Sequence, residues 1–230
     1  MNPNIGSLYI VATPIGNYED ITLRAVNLLK EADIIICEET RQATTLLKKI
    51  NVTPKELLAL NEHNEAEEVG RLITNLFLGK NLALISDCGT PVFSDPGSQL
   101  IHTCVENDIR IIPVPGPSSL MAALSILDFK LDKFHFAGFL PRETGQRNNE
   151  LSRLKTIKYP IIIMDTPYRL AKLLEELEIN FGKTQHVTLA CDLTLPTENI
   201  FRGPLSSVRK KVGARKAEFI LILHAQSAAR

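Results

Sequence analysis

The chain has 230 residues, of which 44% are hydrophobic, and its 26 basic side chains balance 26 acidic ones. That length suits one large domain or two small ones, and zero net charge leaves no global field to draw the molecule onto nucleic acid or membrane, so contact with a polyanion must rest on local patches. No apolar run reaches bilayer-spanning length, and residues 1–4 carry neither a basic region nor an apolar signal core, which predicts a cytoplasmic protein with no membrane contact. Cys37, Cys88, Cys104 and Cys191 form no Cys-x-x-Cys pair and share no ligand spacing with the histidines. Neither a metal site nor a disulfide framework is expected, and Cys37 and Cys191 read as small buried hydrophobes.

Short apolar strands alternate with amphipathic helices from the start. Residues 8–12 predict a strand, and Asp20 is expected to cap a helix running to about Lys30. Strands follow at 33–37, 57–60, 81–85 and 109–114, with helices at 40–50, 65–78 and 97–106 and a further one after Ser119 to about Ile126. This repeated unit predicts a mostly parallel sheet covered on both faces. Residues 127–133 read as a linker, giving an amino-terminal α/β domain over 1–128 and a carboxy-terminal one over 129–230. In the second half, strands are expected at 134–138, 160–164, 187–190, 199–201 and 219–223, with a helix at 167–177; a mixed sheet with antiparallel members is predicted.

The loops after the early strands are dense in polar, Gly and Pro residues. The densest is Ser86-Asp87-Cys88-Gly89-Thr90-Pro91-Val92-Phe93-Ser94-Asp95-Pro96-Gly97. Gly lets backbone approach a ligand, Pro stiffens, and carboxylates and hydroxyls orient a polar cofactor; a plainer use is Asp95 as a helix cap with Pro96 in the first turn. In a parallel sheet all such loops emerge on one rim, where a binding crevice is expected. Gly16 stands alone in the first loop, so the dinucleotide fingerprint is absent, and there is no Walker A sequence. NAD and P-loop chemistry are disfavoured, as is the common methyltransferase fold with its glycine-rich first loop.

Six motifs in order carry a resemblance. They are Thr13-Pro14-Ile15-Gly16-Asn17, Glu38-Glu39-Thr40-Arg41, Glu62-His63-Asn64-Glu65, Ser86-Asp87-Cys88-Gly89-Thr90-Pro91 with Ser94-Asp95-Pro96-Gly97, residues 113–118, and Gly138-Phe139-Leu140-Pro141-Arg142. Together they resemble the tetrapyrrole methylase superfamily (class III S-adenosylmethionine-dependent methyltransferases), in its ribosomal RNA small-subunit branch. The likeness runs from about residue 7 to 147 and more weakly to about 224. In the second half Asp165-Thr166-Pro167-Tyr168-Arg169 stands where that family usually has Glu-Ser-Pro-His/Tyr-Arg, and Cys191-Asp192-Leu193-Thr194-Leu195 replaces a more basic stretch.

The resemblance implies a two-domain α/β fold with the active site in the interdomain cleft, and transfer of methyl from S-adenosylmethionine to the ribose 2′-oxygen of a cytidine in 16S rRNA, with the small ribosomal subunit as partner. It implies a homodimer. Carried over by position, the cofactor contacts are Pro14, Gly16, Asp87, Gly89, Thr90, Pro91, Ser94, Gly116, Ser118, Ser119, Leu120, Met164, Asp165, Thr166 and Ala190. Glu39, His63 and Asp95 are candidates for removing the hydroxyl proton, on their place at the rim. Arg24, Arg41, Asn64, Arg142 and Arg147 are candidates for RNA, the last two in a loop read as flexible and followed by Arg153, Lys155 and Lys158 on its helix. A second basic run, Arg209-Lys210-Lys211 to Arg215-Lys216, is a further candidate patch. The competing readings are methylation of a tetrapyrrole carbon, disfavoured by the first loop, and a non-catalytic S-adenosylmethionine- or RNA-binding module, suggested by the second-half departures.

Overall fold

The structure, a computed structural model, describes residues 5–61, 63–93 and 96–225. It divides into two compact units, Met1–Ser118 and Ser119–Arg230.

The first unit runs β1 (Leu8–Val11), α1 (Leu23–Glu31), β2 (Ile34–Cys37), α2 (Thr40–Lys49), β3 (Leu57–Ala59), α3 (Glu65–Phe77), β4 (Leu82–Ile85), α4 (Ser98–Glu106) and β5 (Ile111–Val114). The sheet order is β3-β2-β4-β1-β5, and every pairing in it is parallel. β2 and β4 are buried along their whole length, because α-helices cover both faces; their unbroken Ile-Ile-Ile-Cys and Leu-Ala-Leu-Ile runs are the consequence. β5 is an edge strand, and Pro113 sits within it opposite Ile10. A proline is tolerated there because an edge residue can leave its nitrogen out of the ladder.

Two helix starts differ from expectation. Asp20 does not cap α1. It closes a 3-10 turn, Tyr18–Asp20, whose own cap is Asn17, and Ile21 is extended; Thr22 then caps α1 by accepting from the Ala25 N–H at 3.1 Å. Likewise the residue preceding α4 is Gly97. The end of that helix is served from elsewhere in the chain: Glu65 Oε1, in the first turn of α3, accepts from the N–H groups of Gly97 and Gln99, both at 3.0 Å. The unpaired N–H groups at a helix start invite a carboxylate, and a distant one serves two of them.

The second unit runs α5 (Ser119–Ser125), β6 (His135–Phe139), α6 (Thr144–Leu154), β7 (Ile161–Met164), a 3-10 turn (Pro167–Arg169), α7 (Leu170–Phe181), β8 (His186–Cys191), β9 (Asn199–Pro204), α8 (Leu205–Val212) and β10 (Phe219–Leu223). Its order is β6-β7-β10-β8-β9; β6 and β7 are parallel, the other pairs antiparallel, giving the mixed sheet predicted. Alternation along the strands makes two cores. Ile161, Ile163, Leu189 and Leu221 face the leucines of α6, α7 and α8, while Ile162, Ala190, Ile220 and Ile222 face Ala123 of α5.

Candidate active site

Thr13, at the carboxyl end of β1, is fully buried and ties two loops together. Its N–H donates to the Gly89 carbonyl at 2.8 Å, and its hydroxyl donates to the Ser86 carbonyl at 2.9 Å, with the Gly89 carbonyl at 3.3 Å. The Cys88 thiol donates to the Ile15 carbonyl at 3.6 Å, and Thr90 Oγ1 donates to the Pro117 carbonyl at 3.4 Å. The loops after β1, β4 and β5 therefore form one connected rim. Asp87 joins a fourth, since its Oδ1 accepts from the Glu39 N–H at 3.4 Å.

Glycine is required at two points of this rim. Gly89 has φ +84°, in the left-handed region, and a Cβ there would meet Ile15 Cγ2 at 3.3 Å. Gly116 lies so close to β1 that a Cβ would stand 3.1 Å from the Ala12 Cβ. Of the expected cofactor residues in this unit, Pro14, Gly89 and Pro91 are buried, Gly16 and Ser118 are half-buried, and Asp87, Thr90 and Gly116 are exposed. Ser94 lies outside the described residues. Beneath the rim, burial and then the nearby Asp87 charge push the Cys37 thiol up to about 11, which keeps it an inert packing group.

Among the candidate bases, Glu39 is exposed at the cap position of α2, where its side chain makes no capping bond. His63 is exposed on the β3–α3 loop. Asp95 lies outside the described residues, as does Glu62 of the same motif. Asn64 has a different role from the one expected. Its Oδ1 accepts from the Asn61 N–H at 2.7 Å and its Nδ2 donates to the Ala59 carbonyl at 2.9 Å, so its amide builds the loop instead of facing RNA. Arg24 and Arg41 are exposed in the first turns of α1 and α2.

In the second unit, Ser119 opens α5, and Leu120, Met164 and Ala190 all belong to the apolar cluster on the α5 face of the sheet. Thr166 is exposed, and its N–H donates to Asp165 Oδ1 at 2.8 Å. The Asp165 carboxylate is buried in an ion cluster, leaving only its backbone for a cofactor role.

The centre of that cluster is Arg147, which corrects the expectation of an RNA contact. It lies in α6, not in a flexible loop, and is 3% exposed. Its guanidinium donates to Asp165 Oδ2 at 3.0 Å, to Glu176 Oε2 at 2.7 Å, and to the carbonyls of Leu140 and Pro141 at 3.5 and 3.3 Å. The sequence held a signal: Arg147, Leu151 and Leu154 fall at i, i+4 and i+7, one inward helical face. Lys155 and Lys158 lie beyond the end of α6. The second basic run is also partly committed, since Arg209 pairs with Glu175 and Glu178 at 3.0 and 2.9 Å, and Arg215 with Asp192 at 2.8 Å. Arg142 remains exposed beside Glu143, whose carboxylate is lowered by the N–H groups of Gln146 and Gly145 as it caps α6.

Comparison with known proteins places this architecture. A ribosomal RNA small subunit methyltransferase I of Escherichia coli O157:H7 is 38% identical over 227 residues, covering 97% of this chain and 79% of that protein. The protein of the same description from Halalkalibacterium halodurans is 39% identical over 220 residues, covering 95% and 75%. A crystal structure of uroporphyrin-III C-methyltransferase from Thermus thermophilus, complexed with S-adenyl homocysteine, has the same fold, with a TM-score of 0.65 at 17% identity over 95% of this chain and 97% of that one. The family model for tetrapyrrole (corrin/porphyrin) methylases matches residues 7–209. With most of its length accounted for in this way, the chain belongs to the tetrapyrrole (corrin/porphyrin) methylase family.

Proposed function

We propose that this protein is an S-adenosylmethionine-dependent methyltransferase acting on 16S rRNA of the small ribosomal subunit, at the ribose 2′-oxygen of a cytidine. The observation that carries the reading is the identity of 38% and 39% over nearly the whole chain with proteins described as ribosomal RNA small subunit methyltransferase I. The ordered loop motifs support the cytidine ribose as the acceptor.

The rim of the first sheet fits the donor. Gly89 and Gly116 leave backbone where a Cβ would otherwise stand, and Asp87 places a carboxylate at the rim, which favours a cationic sulfonium and amino group. Pro14, Gly16, Thr90, Pro91 and Ser118 would complete the contacts there; Ser119, Leu120, Met164, Thr166 and Ala190 are the proposed contacts from the second unit. When bound, the donor supplies an electrophilic methyl on sulfur. The residues must align it with the 2′-oxygen, and a base must take the hydroxyl proton as the carbon–oxygen bond forms and the carbon–sulfur bond breaks. Alignment is worth about 7–11 kcal/mol and a general base about 10²–10⁴-fold, so positioning by the stitched loops dominates. Glu39 and His63 are the proposed proton acceptors among the described residues, both exposed on this rim.

Purified protein, labelled S-adenosylmethionine and small subunits lacking the modification test the reading. Label is expected in 16S rRNA as a 2′-O-methylcytidine. Label transferred to a uroporphyrinogen or precorrin instead would move the assignment to tetrapyrrole methylation; donor binding without transfer to either would favour a binding module. Light scattering on the same sample reads the proposed homodimer.

A further inference from the structure

One end of the second sheet carries aromatic and cationic side chains that donor binding leaves unused. Tyr168, in the 3-10 turn after β7, is 78% exposed. The Lys216 ammonium lies 4.8 Å from its ring centroid, on the segment leading into β10. Phe139, the last residue of β6, is 49% exposed and pairs with Met164 of β7, and Arg142 is exposed just beyond it. Because β6, β7 and β10 are neighbours in the sheet, these four residues crown the same end of three adjacent strands. A single exposed aromatic needs no explanation, but two beside two cations make a surface suited to a strand with flat bases and a charged backbone.

The surrounding acids are largely engaged. Glu143 accepts from two N–H groups of α6, Asp165 is buried against Arg147, and Asp192 pairs with Arg215. Glu218, two residues from Lys216, offsets part of the positive charge. The surface is also held rigid from below. Arg147 binds the Leu140 and Pro141 carbonyls on one side and Asp165 on the other, which fixes the segments bearing Phe139, Arg142 and Tyr168 before any ligand arrives.

We propose that this end of the second sheet is a stacking platform for single-stranded RNA, with a base on Tyr168, a second on Phe139, and Lys216 and Arg142 against the intervening phosphates. The proposal rests on the RNA-methyltransferase reading and deepens it. Stacking on an aromatic tolerates any base, so the platform grips a splayed strand without reading its sequence.

The probe is a fluorescein-labelled, unstructured 12-nucleotide RNA of mixed sequence, followed by anisotropy, with donor binding measured by calorimetry on the same preparations. Tyr168→Ala is expected to weaken RNA binding between about 5-fold and about 150-fold, while Tyr168→Phe, which keeps the ring, stays within about twofold. Lys216→Gln is expected to reduce the slope of log affinity against log salt by about 0.7. Both positions are at the surface, so melting and donor affinity are expected to hold. If the unaltered protein binds RNA and Tyr168→Ala binds it equally well, the platform is overturned while the methyltransferase reading stands. If the unaltered protein binds donor but not this RNA, the platform falls, whereas the methyltransferase reading stands or falls by label transfer to small subunits.

Discussion

Replacing Arg147 by methionine keeps a stem of similar length in the core but removes the donors at the centre of the second unit. The Arg147 and Asp165 side chains are 4% and 3% exposed and Glu176 is 18% exposed, so both carboxylates would lose their nearest cation in a poorly solvated place. Removing one member of a buried pair costs about 3–5 kcal/mol. Some compensation remains: Asp165 keeps the Thr166 N–H at 2.8 Å and Arg169 at 3.9 Å, and Glu176 keeps Lys172 at 3.9 Å. The low end, about 3 kcal/mol, is therefore expected for Arg147→Met, together with release of the Leu140 and Pro141 carbonyls. At roughly 4 °C per kcal/mol the second unit should melt about 12 °C lower. Urea denaturation followed by circular dichroism reads the change as a lower midpoint. The exposed Arg142→Met is the control and should stay within about 0.5 kcal/mol of the parent. If Arg147→Met is as stable as that control, the cluster is not what holds these segments.

Gly89→Ala places a Cβ on a backbone at φ +84°, at a strain of about 1–2 kcal/mol, and should lower donor affinity measured by calorimetry while the second unit melts as before. Burial pushes the thiols of Cys37, Cys104 and Cys191 up to about 11, whereas Cys88 is exposed. At neutral pH an aromatic disulfide reagent should therefore release about one equivalent rapidly from native protein and about four after unfolding; a native count above one would contradict the burial. His224, hydrogen-bonded to Thr188 at 2.9 Å, is held below the usual imidazole range by burial, with His186 adding to this and Asp128 opposing it. Its neutral form is thus favoured by folding. Its contribution to stability is complete above about 6.5, the unfolded value, and is lost as pH falls below that toward the depressed folded value. Midpoints in urea should drop as pH falls below about 6.5, and His224→Gln should flatten that limb; an unchanged profile in the variant would remove His224 as the cause.

The sheet-forming runs were legible because burial on both faces leaves only one kind of residue in β2, β4 and β10. The rim was legible for a related reason: a strand in a parallel sheet ends where its loops collect, so Thr13, the Ser86-to-Thr90 turn and Pro117 could be grouped before their bonds were known. What sequence could not carry was partnership across distance. Nothing local indicates that Glu65 closes the start of α4, 32 residues away, or that Arg147 faces Asp165 and Glu176, 18 and 29 residues on. A charged side chain reads as surface until its counter-charge is located. Capping was misread for a smaller reason. Asp20 and Thr22 are both good caps, and the choice between them is made by the Asn17 turn, which uses Asp20 to finish itself.

Pro113 bears on how the chain survives its own maturation. A parallel sheet joins residues far apart in sequence and so assembles slowly, leaving its outer strands uncovered for a time in a crowded solution of identical molecules. An outer strand with an unbroken row of amide hydrogens is a template on which another copy can lay its own strand and seed an insoluble fibre. β5 has a gap in that row at Pro113, and the opposite margin, β3, is only three residues long. Both margins thus discourage sheet-to-sheet growth between molecules, and Pro113→Val is the change most suited to reveal it.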